Sequence, residues 1–129
     1  MILAVGLDLC DVDRVEAAVR RHPRLLDRVF TPAERAACER KASPWASYAA
    51  RFAAKEAAMK ALGTGWGGGV AWRDLEVTGG AGSPPGMAFH GAALRRLEAL
   101  GGHSALVSLT HERRAAAAVV ILLGALPRR

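Results

Sequence analysis

An α+β fold, with a small and mostly antiparallel sheet packed on a long central helix and shorter helices around it, is what this sequence predicts. Three observations lead there. An Ile/Val/Leu-rich segment opens the chain at residues 2–7, and a near-continuous run of strong helix formers covers 44–62. Two aliphatic segments close it, at 105–110 and 115–123, separated only by His111-Glu112-Arg113-Arg114. Helical and strand patterns therefore fall in separate stretches instead of alternating as β-α-β units.

The opening strand, 2–7, ends on Asp8, an acid at a strand terminus. Asp13-Arg14-Val15-Glu16 reads as a capping box, an acceptor followed by Glu three residues later. The helix it opens runs to Arg21 and is stopped by Pro23. A short helical segment is expected at 25–30. Thr31-Pro32-Ala33-Glu34 repeats the start signal with Pro at the first helical position, giving a helix to about Lys41. Ser43-Pro44 starts the long helix, and Gly63 ends it. Residues 63–69 form a glycine-rich loop, and 70–77 alternate as a strand. Residues 79–86 read as a Gly/Ser/Pro loop, 86–89 as a short strand, and 91–100 as an amphipathic helix closed by Gly101-Gly102. The last two strands are close enough for a hairpin. No repeat or linker divides the chain, so residues 1–129 are expected to form a single domain.

Composition narrows the function. Half the residues are hydrophobic (51%), which excludes disorder of the whole chain. No apolar run reaches the length of a bilayer span, and the first residues lack the basic start of a secretory signal. Cys10 and Cys38 fit neither a metal knuckle nor a disulfide framework, so a reducing, cytoplasmic location is expected. His22, His90, His103 and His111 are scattered without ligand spacing, which argues against zinc. The formal charge is +6, carried mostly by arginine, which grips carboxylate and phosphate in a bidentate fork. Such a chain attracts nucleic acid, an acidic protein or a phosphorylated small molecule. Low aromatic content (5%) and the lack of a binding motif weaken nucleic acid. Arg128 and Arg129 read as a solvated tail.

The residues that carry chemistry lie around the long helix. Glu56 and Lys60 stand one turn apart and share a helix face. By spacing alone they make an ordinary surface ion pair. With Asp8 added, the set suits Mg²⁺ and a phosphate: two carboxylates for a hard ion and an ammonium for a phosphate oxygen. Gly63, Gly65, Gly67, Gly68 and Gly69 would let backbone approach a ligand, or merely cap the helix and turn. The segment is not a Walker loop, since no GKS or GKT occurs. Ser108-Leu109-Thr110-His111 ends a late strand, where His111 is either a structural hydrogen-bonder or a ligand to phosphate or adenine. Arg14, Arg21 and Arg28 recur every seven residues, with Arg20 and Arg24 close by.

These pieces match a family. Val5-Gly6-Leu7-Asp8 with Arg14 is followed by Phe30-Thr31-Pro32-Ala33-Glu34. Arg51-Phe52-Ala53-Ala54-Lys55-Glu56-Ala57 with Lys60 comes next, then Ala61-Leu62-Gly63-Thr64-Gly65. Trp72-Arg73-Asp74-Leu75-Glu76-Val77 and Val107-Ser108-Leu109-Thr110-His111-Glu112 complete the series. In that order, and over nearly the whole chain, they resemble the bacterial holo-[acyl-carrier-protein] synthases, the small trimeric 4′-phosphopantetheinyl transferases. The Gly-x-Asp and Phe-x-x-Lys-Glu-Ala-x-x-Lys combination is the specific part.

The resemblance implies transfer of 4′-phosphopantetheine from coenzyme A to a serine of an apo-acyl carrier protein. Adenosine 3′,5′-bisphosphate would be released. It implies Mg²⁺ on Asp8 and Glu56, and Lys60 beside the pyrophosphate. Arg51, Thr110 and His111, with Gly63, Thr64 and Gly65, would line the coenzyme A cleft, the 3′-phosphate included. It also implies a homotrimer with active sites between neighbouring subunits. An acidic carrier gives the basic residues Arg14, Arg21, Arg24 and Arg28 a docking role. The proton acceptor for the serine stays open between a metal-bound water, Glu56 and another acid. Whether the carrier serves fatty acid or polyketide synthesis stays open too.

Overall fold

The computed structural model describes residues 1–65, 68–80 and 82–125; Gly67 of the glycine-rich loop, and Arg128 and Arg129, lie outside the described residues. The elements run β1 (Ile2–Asp11), α1 (Val12–Arg21), α2 (Leu25–Val29), α3 (Pro32–Glu39) and α4 (Trp45–Leu62). A 3₁₀ turn (Trp72–Asp74) follows, then β2 (Leu75–Gly80), β3 (Ser83–Phe89), α5 (Gly91–Ala99), β4 (Gly102–His111) and β5 (Ala115–Gly124). The class is α+β as expected. Its strands form two antiparallel units: a three-stranded sheet in the order β1-β5-β4, and the separate β2-β3 hairpin.

Several boundaries differ from the expectation, each for a tertiary reason. β1 does not stop at Asp8, because β5 pairs with it as far as Asp11↔Ala115. Asp8 is thus inside the strand. The helix start moves with it: Asp11, not Asp13, caps α1 by accepting from the Arg14 N–H at 3.1 Å. Asp13 falls in the first turn, where its charge complements the helix dipole. Residues 72–74 wind into a 3₁₀ turn, so β2 begins only at Leu75. The stretch expected as a loop before Gly86 is strand from Ser83, Pro84 and Pro85 included. Prolines are tolerated there because β3 pairs with one neighbour only and has an unladdered edge.

The capping box at Thr31 forms as read: its hydroxyl accepts from the Glu34 N–H, and the Glu34 carboxylate accepts from the Thr31 N–H. α4 is the centre of the molecule. It packs on β1 and β5, and Ala49, Ala53, Ala54, Ala57 and Ala58 are all fully buried. A helix apolar on most sides is a core helix, and its alanines bring its backbone close to the sheet. Leu62, Leu75, Leu97, Val120 and Leu122 pack around its C-terminal half, each worth about 1.5–3 kcal/mol of burial. Gly63 ends it in the left-handed region at φ 74°, where glycine has no Cβ penalty.

Candidate active site

Where α4 crosses β1, Gly6 decides the spacing. A Cβ at this residue would sit 1.8 Å from the carbonyl oxygen of Ala57, so only glycine allows the contact. Side chains alternate along a strand, so Asp8 projects to the same face as Gly6, toward α4. Leu7 and Leu9 turn to the other face and are exposed. On α4, Lys60 comes one residue before Ala61, whose backbone lies against Gly6. The Lys60 ammonium consequently donates to Asp8 Oδ1 at 2.7 Å and to the Leu7 carbonyl at 3.0 Å. Glu56, one turn before Lys60 on α4, lies close enough for its charge to act on Lys60 and on Cys10 beside Asp8.

The electrostatics converge on this spot. The hydrogen bond to Asp8, its negative charge and that of Glu56 hold Lys60 above the ordinary lysine value. Burial pushes the Cys10 thiol up to about 11, with the charges of Glu56 and Asp8 adding to it. One thiol thus feels both carboxylates. Among the described residues no group of three or more His, Cys, Asp and Glu could hold an ion. Two carboxylates with the remaining positions left to phosphate and water is the usual habit of Mg²⁺, so Asp8 and Glu56 fit that ion.

A cleft of about 260 Å³ lies on another side of α4, lined by Arg51, Lys41, Thr78, Gly80, Ser83 and His111 among others. The buried Nε of Arg51 has no hydrogen-bond acceptor among the described residues. Three basic side chains and an unanswered donor line this cleft, a chemistry suited to an anion. Thr110 is not part of it: successive strand residues alternate, so Thr110 shares the outer face of the sheet with exposed Leu106. Gly63 and Thr64 follow the C-terminus of α4, one turn beyond Lys60. There Thr64 donates to the Met59 carbonyl, and Arg96 of α5 holds the Leu62 carbonyl at 2.9 Å. A second cleft, of about 270 Å³ between α2 and α3, is lined by Asp27, Arg35 and Glu39, which already pair with one another.

Arg14 and Arg21 on α1, Arg24 at the start of α2 and Arg28 within α2 are all exposed. Arg20, close to them in sequence, is committed elsewhere: it pairs with Glu16 at 2.8 Å and lies over the Trp45 ring. Sequence reasoning missed Lys41, Ser83 and Arg96, whose types and spacing carry no signal. It also passed over Lys55, although Lys55 sits inside the motif. Its ammonium is fully buried against Glu34, and burial pulls its pKa below the ordinary lysine value while Glu34 opposes that.

Residues 4–120 match the model of the 4′-phosphopantetheinyl transferase superfamily, and the chain belongs to that superfamily. It is 48% identical to the holo-[acyl-carrier-protein] synthase of Koribacter versatilis, over 95% of this chain and 98% of that protein. The crystal structure of the Neisseria meningitidis holo-[acyl-carrier-protein] synthase is 31% identical, with a TM-score of 0.82 over 95% of this chain and 99% of that one. The Helicobacter pylori enzyme, solved in complex with coenzyme A, is 28% identical with a TM-score of 0.79, over 92% and 99% of the two chains. Within the superfamily the chain is therefore an enzyme of the holo-[acyl-carrier-protein] synthase family.

Proposed function

We propose that this chain transfers the 4′-phosphopantetheine group of coenzyme A to a serine of an apo-acyl carrier protein. The products are the holo carrier protein and adenosine 3′,5′-bisphosphate. The observation that carries the reading is the meeting of Asp8, Glu56 and Lys60 where α4 crosses β1, on the same helix as the Arg51 cleft. The Helicobacter pylori relative, which binds coenzyme A, supports the ligand.

The serine hydroxyl gives up its proton to Glu56, another nearby acid or a water, its oxygen forms a bond to the phosphorus next to pantetheine, and the bond from that phosphorus to the bridging oxygen breaks. The electron pair leaves with adenosine 3′,5′-bisphosphate. Positioning and charge neutralisation dominate such a transfer. Asp8 and Glu56 would hold Mg²⁺, which supplies Lewis-acid stabilisation of the pyrophosphate when bound. Lys60 is exposed enough to turn from Asp8 to a phosphate oxygen and offset charge on the leaving group. Arg51 and His111 orient the nucleotide end, with the unpaired Arg51 Nε available to an anion. Gly63, Thr64 and Gly65 border the same cofactor. Thr110, on the outer face, joins it only from a neighbouring subunit.

That neighbour is part of the proposal. The outer face of the three-stranded sheet exposes Val5, Leu7, Leu9 and Leu106 at 57–73% of their surface, an apolar area that association would cover. A homotrimer with active sites between subunits fits it. Arg14, Arg21, Arg24 and Arg28 would steer the acidic carrier protein. No described helix is long and apolar enough to cross a membrane. The proposed setting is the cytoplasm, with one domain over 1–129, and the carrier is that of fatty acid or of polyketide synthesis. The test is to incubate the protein with apo carrier, coenzyme A and Mg²⁺ and weigh the carrier by mass spectrometry. A gain of one phosphopantetheine is expected; an unmodified carrier overturns the reading.

A further inference from the structure

β2 has a partner on one side only, since β2-β3 is a two-stranded sheet. In an antiparallel pair every second residue turns its N–H and C=O away from the partner. Leu75 and Val77 are those residues here, and a bare edge of this kind normally needs cover. Two side chains provide it. Lys55 Nζ donates to the Leu75 carbonyl at 2.7 Å, and the Val77 N–H donates to Glu34 Oε2 at 2.7 Å. The two side chains are themselves paired, Nζ to Glu34 Oε1 at 2.7 Å, and both are completely buried. Lys55 also reaches the Trp72 carbonyl at 3.1 Å. An ion pair from two helices thus occupies the place of a third strand.

The position of that pair matters for the cleft. Arg51 and Lys55 share a face of α4, one turn apart. The capped Val77 itself lines the cleft, and β2 continues into Thr78 and Gly80, which line it with Arg51; a Cβ on Gly80 would lie 3.5 Å from the Arg51 guanidinium. We propose that Glu34 and Lys55 are positioning residues for coenzyme A binding: by capping the edge of β2 they fix the hairpin residues Val77, Thr78 and Gly80 in place beside Arg51 in the cleft lining. The proposal rests on the reading that this cleft holds the nucleotide end of coenzyme A. It assigns the pair no contact with the ligand.

Glu34→Asp keeps the charge and withdraws one methylene, so the carboxylate no longer reaches both Lys55 and Val77. The expected result is a coenzyme A KM and Kd raised roughly ten- to hundredfold. The kcat and the KM for carrier protein should stay within about twofold, a split that general loss of folded protein does not produce. Unchanged coenzyme A binding in the folded variant overturns the proposal alone. A wild-type chain that binds no coenzyme A overturns the underlying reading and the proposal with it. Should Glu34→Asp not fold, amide exchange of the wild-type chain decides. The Val77 N–H should exchange as slowly as the β2 amides bonded to β3, and slow further by about tenfold with coenzyme A at ten times its Kd. Fast exchange, or exchange indifferent to coenzyme A, overturns it.

Discussion

Lys55 and Lys60 stand on the same helix, and each holds a carboxylate at 2.7 Å. Their surroundings make them opposites. Lys55 is fully buried, with three acceptors around its ammonium, and Glu34 in turn receives backbone N–H groups from Thr31 and Val77. All three ammonium protons are used, and both carboxylate oxygens have partners. The Lys60 side chain is 56% exposed, against 11% for Asp8, and solvent reaches the pair. A saturated pair in a dry core can only hold elements together, while an open pair can exchange partners with an incoming phosphate. The difference teaches that distance alone does not separate a structural ion pair from a working one. Burial and spare coordination do.

Breaking each pair tests the contrast, and the largest effect falls on chemistry. Asp8→Ala or Glu56→Ala should abolish transfer, read by mass spectrometry of the carrier, while the thermal midpoint stays close to wild type. Full activity in either purified variant would sink the metal assignment. Lys55→Ala should act the other way round, on the fold. It strands Glu34 as a buried charge, and urea unfolding should show a loss of about 3–5 kcal/mol. Lys60→Ala should leave the urea midpoint nearly unmoved and slow transfer roughly hundredfold. A large loss of stability in that variant would erase the distinction between the two lysines.

Smaller effects sharpen the picture at its edges. Arg14→Glu should raise the KM for carrier protein several-fold, more at low salt, with coenzyme A binding nearly unchanged. Equal weakening for both substrates would count against a docking role. The smallest effect concerns acid. The Thr31 hydroxyl at 2.7 Å, with help from His90, holds Glu76 below its ordinary value of 4.5. That contribution is present above pH 4.5 and disappears as pH falls through the depressed value. Glu76→Gln, which mimics the protonated acid, should therefore lower stability modestly at neutral pH, converge with wild type at low pH, and so flatten the acid limb of a stability–pH curve.

Much of this architecture was legible in the chain, because local chemistry marks it. Pro32 with Thr31 and Glu34 announced α3, Gly63 announced the end of α4, and aliphatic runs announced β1, β4 and β5. The hairpin β2-β3 was legible only in part: 70–77 and 86–89 read as strand, but Pro84, Pro85 and the surrounding glycines read as loop until a one-sided strand accommodates them. The cap of α1 was misplaced by two residues for a related reason: pairing with β5 carries β1 past Asp8 to Asp11. Asp8, Glu56 and Lys60 were visible as residue types and as a family pattern. Lys55 shared that motif, but its burial gave it no signal of its own.

By itself the sequence determined which residues have charge or nucleophile-directing chemistry, and which stretches are helix or strand. Spacing of three to four residues, or of two, is a local property of the backbone and needs no knowledge of the rest. Only the tertiary structure decided which charges meet. Asp8 and Lys60 are far apart in sequence, and they touch because Gly6 lets α4 lie directly on β1. The same helix turns Lys55 into the core to serve β2 and leaves Thr110 on the outer face of the sheet. Contacts between elements depend on how closely backbones approach and which way each face points, and neither is written in the order of residues along one element.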